Sequence, residues 1–207
     1  FILKKSLIIK QLINKLWRSI YMTQFLGNDC QTQTHKEPFL HWTLCNILPQ
    51  STVDELLMIA DGISASNATA KRTEHNQRCF ITNGKLADAA NSDLTRAHLG
   101  SITGQDLQHA RLRMELCVDA PGFSLEPHID IPEKLITLQI YLEGEQHCGT
   151  NLYPKTVPCT PNTGWMIINT PDTVHGFDAR DFEKRRVSLI INYVNDDWWD
   201  VAQLYAK

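Results

Sequence analysis

Apolar residues recur at three- and four-residue steps from the start of the chain, at Leu3, Leu7, Ile8, Leu12, Ile13, Leu16, Trp17 and Ile20, with lysines between them. That period predicts an amphipathic helix over 1–21 with a basic polar face. From about residue 37 a different pattern takes over. Residues 39–44 read as a strand closed by Pro49, and Ser51, with Asp54 three residues on, reads as the N-cap of a helix through Val53, Leu56, Leu57 and Ala60. Asp61-Gly62 ends that helix, and 62–78, rich in Ser, Asn, Thr and Arg, read as a loop. A second helix is expected over about 84–99, burying Leu86, Ala89, Ala90, Leu94 and Ala97.

The second half reads as strands. Residues 112–118 alternate apolar and polar before the Ala120-Pro121-Gly122 turn. Further strands are expected at 135–142, 150–153, 165–169 (after Pro161-Asn162-Thr163-Gly164) and 187–194. Many short strands behind a helical lead-in predict a mainly β fold with flanking helices, a barrel or sandwich packed against them. A chain of 207 residues holds one such domain. The expected organisation is a basic segment at 1–21 and a single domain at 22–207, with a lead-in over 37–105 and a barrel over 106–196.

Composition adds exclusions. With 43% hydrophobic and 21% charged residues, the chain is neither disordered nor fibrous. The net charge is -3, yet 1–21 hold five basic residues and no acid, so the remainder carries -8. An acidic domain argues against a nucleic-acid partner. Six scattered cysteines without a C-x-x-C pair read as reduced thiols in a cytoplasmic protein. The basic segment is too often interrupted by charge to span a bilayer, so membrane association is disfavoured. Met22 opens an ordinary-looking start, which leaves 1–21 as either upstream sequence or a helix packed on the domain.

The chemistry lies in His128-Ile129-Asp130, His175 and Arg186-Val187-Ser188. In extended chain, residues i and i+2 share a face, so His128 and Asp130 can meet one ion. Pro127 and Pro132 favour that geometry. Two imidazoles and a carboxylate form the facial set that holds Fe(II) and leaves positions open for 2-oxoglutarate and O2. Arg186 offers a planar fork for a carboxylate, and Ser188 on the same strand face offers a hydroxyl. Thr137, Gln139 and Tyr141 alternate with Ile136, Leu138 and Ile140, and polar groups facing a barrel interior call for a ligand. Arg111 and Arg113 are candidates for the barrel mouth and an anionic substrate.

Together with Leu138-Gln139-Ile140-Tyr141-Leu142, Cys148-Gly149-Thr150-Asn151-Leu152-Tyr153 and the run from Gly164 to Gly176, these motifs make the stretch 39–194 resemble the 2-oxoglutarate/Fe(II)-dependent dioxygenase superfamily, above all its prolyl-4-hydroxylase-like branch. The resemblance implies a double-stranded β-helix (a jelly-roll, cupin-like barrel). It implies His128, Asp130 and His175 as iron ligands and Arg186 as partner of the cosubstrate C5 carboxylate. Tyr141 is implied as a hydroxyl donor to 2-oxoglutarate, with Thr137 and Ser188 beside it, and ascorbate as a candidate reductant. The expected activity is hydroxylation of a small-molecule or peptidyl substrate. Val118 stands where prolyl hydroxylases often carry a second tyrosine, and Arg186 where collagen-type enzymes carry lysine, so proline is not singled out. Asp130 speaks against a halogenase. The rival readings are a cupin-like metalloenzyme that does not use 2-oxoglutarate and a non-catalytic binding barrel.

Overall fold

A computed structural model describes residues 25–63 and 74–206; the basic segment expected at 1–21 lies outside them. The chain runs β1 (Gln31–His35), β2 (His41–Cys45), α1 (Gln50–Gly62), β3 (Asn76–Phe80), α2 (Lys85–Ala90), α3 (Asp93–Thr103), β4 (Arg111–Asp119), β5 (Leu125–His128) and β6 (Lys134–Glu143). It continues through β7 (Thr150–Leu152), β8 (Lys155–Val157), β9 (Thr163–Ile168), β10 (His175–Phe177) and β11 (Arg186–Val194), with a 3-10 turn at Val201–Gln203. Seven strands form one sheet in the order β1-β2-β9-β6-β11-β4-β3, and four form another in the order β5-β10-β7-β8. All the strand pairs are antiparallel. This is the double-stranded β-helix the motifs implied. Among the described residues, no helix is long and apolar enough to cross a membrane.

Strand alternation divides the interior in two. One face of the large sheet (Leu112, Met114 and Leu116; Leu138 and Ile140; Leu189 and Ile191) is buried with Val53, Leu56 and Ala60 of α1 and with Ala87, Ala90 and Leu99 of the other helices. Each of the leucine, isoleucine, valine and methionine side chains contributes about 1.5–3 kcal/mol of hydrophobic stabilisation. The other face meets the small sheet around Phe123, Tyr141, Leu152, Trp165 and Phe177. Both faces of β4, β6 and β11 are therefore buried. The polar positions of β4, which in a half-buried strand would face water, point into the space between the sheets.

The helical lead-in departs from expectation in detail. Ser51 is not a cap: α1 begins at Gln50 behind Pro49, whose carbonyl takes the first amides. The single helix expected over 84–99 is two, because Ser92 interrupts it and caps α3 by accepting from the Thr95 amide. The restart shifts the helical register, so Leu94 and Ala97 are exposed while Leu99 is buried. The end of the loop expected over 62–78 is instead the start of β3, which lies on the edge of the large sheet beside β4. His41 is buried and stacks on His35 with 4.7 Å between ring centroids.

The β7–β8 hairpin approaches its own base so closely that Gly149 has no room for a side chain: a Cβ there would sit 1.6 Å from the Val157 carbonyl oxygen. Gly149→Ala is expected to cost about 3 kcal/mol, the upper range for overpacking, because backbone is what must move. A thermal melt that shows no loss would contradict this reading of the hairpin.

Candidate metal and cosubstrate site

Antiparallel pairing of β10 with β5 sets His175 directly opposite His128. Asp130 follows β5 by two residues, and ligand atoms of the three side chains lie within 4.8 Å of one another. The ring centroids of the two histidines are 4.5 Å apart. His128 Nδ1 is 2.9 Å from the Glu126 carbonyl and His175 Nδ1 is 2.9 Å from the Thr173 carbonyl. Each Nδ1–H is thus committed to backbone, which leaves each Nε2 as a lone-pair donor; this is how metal-binding imidazoles are usually held.

Asp130 is held from two sides. Lys134 Nζ donates to Oδ1 at 2.6 Å and Thr137 Oγ1 to Oδ2 at 2.6 Å. Burial by itself would raise the Asp130 pKa, but Lys134, His175 and the two hydrogen bonds outweigh it and hold the carboxyl at about 2. Burial lowers the pKa of His175 against the pull of Asp130, which favours the neutral, ligating imidazole. An ionised carboxylate and neutral imidazoles are what a divalent cation requires. The donor set fits Fe(II).

A narrow cavity opens between the sheets, with His128, Asp130 and His175 at one part of its wall and Arg186 and Ser188 at another. Arg186 is buried; its Nε (2.9 Å) and Nη2 (2.7 Å) both reach Asp119 Oδ2, and Nη1 donates to the Cys148 carbonyl. Its guanidinium lies over Phe177, 4.2 Å from the ring centroid. Burial opposes its charge, but Asp119 more than restores it and raises the pKa.

Tyr141 stands one step back from the cavity. Its hydroxyl accepts from the Thr150 amide at 2.8 Å and donates to Thr150 Oγ1 at 2.9 Å. Thr150 donates onward to Gln139 Oε1 and Gln139 Nε2 to Ser188 Oγ, at 2.9 and 3.0 Å. All of these donors run one way, and the relay ends on Ser188 Oγ as acceptor, which leaves the Ser188 proton for another partner. Thr137 also lines the cavity, but its hydroxyl serves Asp130 and accepts from Asn192 Nδ2 at 2.8 Å. Its place is beside the iron ligand.

Three features escaped the sequence reading. Lys134 carries no pattern of its own, although a basic residue four positions after a carboxylate ligand was a signal available to it. Arg78 and Asp119 lie on β3 and β4, where only the register of the sheet brings them to the cavity. Trp165, which opens the strand expected at 165–169, is the third. It is buried, lines the cavity and meets His175 edge-on at 5.4 Å, yet its Nε1–H has no partner among the described residues. A buried donor without an acceptor is costly unless a ligand supplies one. Trp165→Phe removes buried volume as well as the donor, so it is expected to cost about 1–3 kcal/mol of stability and to weaken 2-oxoglutarate or substrate binding about tenfold, one hydrogen bond's worth. A melt and a calorimetric titration together check this.

No protein-family model matches the sequence, and no curated protein does. Solved structures match in fold. The chain is similar to a Pseudomonas putida prolyl-4-hydroxylase, with a TM-score of 0.59 and 16% identity over 75% of this chain and 92% of that one. It is similar to the viral collagen prolyl hydroxylase of Paramecium bursaria Chlorella virus-1 in its 2-oxoglutarate complex, with a TM-score of 0.54 and 14% identity over 75% and 96%. It is also similar to HygX from Streptomyces hygroscopicus with nickel, 2-oxoglutarate and hygromycin B bound, with a TM-score of 0.56 and 11% identity over 76% and 84%. The fold defined by these likenesses is that of the 2-oxoglutarate-dependent oxygenases, prolyl hydroxylases among them.

Proposed function

We propose that the protein is a non-haem Fe(II)- and 2-oxoglutarate-dependent oxygenase that hydroxylates its substrate. The observation that carries this is the convergence on one buried cavity of a His-Asp-His donor set and a buried arginine. His128 Nε2, Asp130 and His175 Nε2 would hold the metal, with Thr137 and Lys134 fixing the carboxylate. Arg186 would take the C5 carboxylate of 2-oxoglutarate, with the Ser188 proton as a second donor. Iron with O2 supplies the oxidation: 2-oxoglutarate loses C1 as CO2 and becomes succinate with one oxygen atom, and the other enters a substrate C–H bond. Phe123, Leu125, Phe177 and Trp165 give the cavity dry walls, which keep water from the reacting groups. Tyr141 acts through Thr150 and Gln139 on Ser188.

Purified protein should bind one Fe(II) per chain and convert 2-oxoglutarate slowly to succinate even without substrate. His128→Ala should abolish both, and retention of both would sink the assignment. One observation favours a second reading, a metal-dependent enzyme of the same fold that does not use 2-oxoglutarate: the Arg186 guanidinium already faces a carboxylate of its own protein, Asp119. 2-Oxoglutarate titration of the Fe(II)-loaded protein separates the two readings.

A further inference from the structure

Lys134 is a cation placed beside a cation site. It lines the cavity with His128, Asp130 and His175, its side chain is only 11% exposed, and its ammonium sits 2.6 Å from Asp130 Oδ1. The placement is built into the backbone. The Lys134 amide donates to the Ile131 carbonyl at 3.1 Å, the Asn195 amide donates to the Glu133 carbonyl at 2.8 Å, and Lys134 pairs with Val194 of β11. Ile131 packs on Val194, Trp198 and Leu204, so the turn that brings Lys134 to the carboxylate is anchored at both ends. A positive charge there repels the divalent ion that the donor set fits. Stability does not account for it, because desolvation of a buried ion pair cancels most of the attraction.

The two oxygens of Asp130 are held differently. Oδ1 faces Lys134, whereas Oδ2 lies 3.9 Å from His175 Nε2 and accepts from Thr137 at 2.6 Å. The direction of the Thr137 bond is enforced from behind. Arg113 can only donate, so its contact at 3.0 Å makes Asn192 Oδ1 the acceptor and turns Asn192 Nδ2 toward Thr137. Thr137 accepts from Asn192, and its single proton goes to Asp130 Oδ2. One oxygen is thus aligned beside a ligand histidine, and the other is closed by an ammonium.

We propose that Lys134 is a positioning residue: it occupies Asp130 Oδ1, so that the carboxylate meets the metal through Oδ2 alone and a coordination position stays free for 2-oxoglutarate. A carboxylate that gripped the metal with both oxygens would take a place that 2-oxoglutarate or O2 needs. This rests on the proposed oxygenase reading and deepens it, by giving the cation beside the metal site a task.

The test compares wild type with Lys134→Met under anaerobic conditions. The infrared difference spectrum on Fe(II) addition gives the separation of the antisymmetric and symmetric carboxylate stretches, which is wide for a carboxylate bound through one oxygen and narrow for one bound through two. The wild type should show the wide separation and Lys134→Met the narrow one. Competition with a chelator should show that Lys134→Met binds Fe(II) at least as tightly as wild type, since a repelling charge is gone. Calorimetry should show 2-oxoglutarate binding to Fe(II)-loaded Lys134→Met about tenfold more weakly. A two-oxygen signature in the wild type, an unchanged signature or unchanged 2-oxoglutarate affinity in Lys134→Met, or a loss of its Fe(II) affinity each overturns the inference. Lost Fe(II) affinity would make Lys134 a simple support for Asp130. Lys134→Ala serves if Lys134→Met does not fold. The infrared arm needs no 2-oxoglutarate, so failure of the wild type to bind 2-oxoglutarate counts against the oxygenase reading, while the spectra still decide how Lys134 holds Asp130.

Discussion

Arg186→Gln combined with Asp119→Asn should yield a folded, Fe(II)-binding protein whose affinity for 2-oxoglutarate is about 100-fold lower. The pairing of substitutions matters. Arg186→Gln alone leaves Asp119 buried without its cation, a fault worth about 3–5 kcal/mol, and a collapsed variant would say nothing about cosubstrate. Neutralising both partners removes the charge while keeping amide groups that Asn76 and the Cys148 carbonyl can still meet. What is lost is the charge-assisted contact to the C5 carboxylate, about 3 kcal/mol at the strong end, hence the two orders of magnitude. Calorimetry with 2-oxoglutarate on Fe(II)-loaded protein reads it directly. Undiminished affinity would mean that the ion pair is structural and the 2-oxoglutarate-independent reading is correct.

How much of this was legible in the sequence depends on the range of the interaction. His128 and Asp130 are two residues apart, and a local extended geometry suffices to bring them together. Arg186 and Ser188 share a strand face by the same rule, as do Thr137 and Gln139, and all four line the cavity. The strand pattern alone gave a barrel or sandwich; the double-stranded β-helix was implied by the family resemblance that the motifs carry, and the structural likenesses bear that fold out. What stayed hidden depends on register. Asn76 is opposite Asp119 and Arg78 opposite Cys117 only because β3 pairs with β4, and the first three residues of β3 fall in the stretch 62–78, whose Ser, Asn and Arg content reads as loop.

The alternation of β4 carried a true signal with its direction open. Period two puts Arg113, Glu115, Cys117 and Asp119 on one face, but periodicity cannot say whether that face meets water or a second sheet. Water is the commoner answer, and here it is the wrong one, because β5, β7, β8 and β10 cover that face. Tyr141 shows the complementary limit. Its position marks the right strand, but a tyrosine is long enough to hand its hydroxyl to the neighbouring strand, and Thr150 of β7 takes it. Identity of residue placed it near the site; the structure puts its hydroxyl on Thr150, one step back from the cavity lining.

Glu115→Gln is expected to destabilise the fold by about 3–5 kcal/mol near neutral pH, enough to lower the melting temperature by about 10 °C for a domain of this size. Glu115 is the shared anion of two buried guanidiniums, and a glutamine would leave Arg78 and Arg113 confronting each other without a counter-charge. The pH dependence gives the prediction its specificity. Burial would raise the Glu115 pKa, but Arg78 and Arg113 overcome it and hold the carboxyl at about 2, below its value of about 4.3 in the unfolded chain. A depressed folded pKa stabilises above the unfolded value and loses that contribution as pH falls through the folded one. The stability gap between wild type and Glu115→Gln should therefore be full at pH 6–7, shrink from about pH 4.5 downward and vanish near pH 2. Asp130 titrates in the same acid range in both proteins, so the difference between them isolates Glu115. Denaturant unfolding at a series of pH values measures the gap. A constant gap from pH 7 to pH 2.5 would show that the loss comes from packing, and would remove Glu115 as the anion that holds Arg78 at the cavity wall and Arg113 behind it.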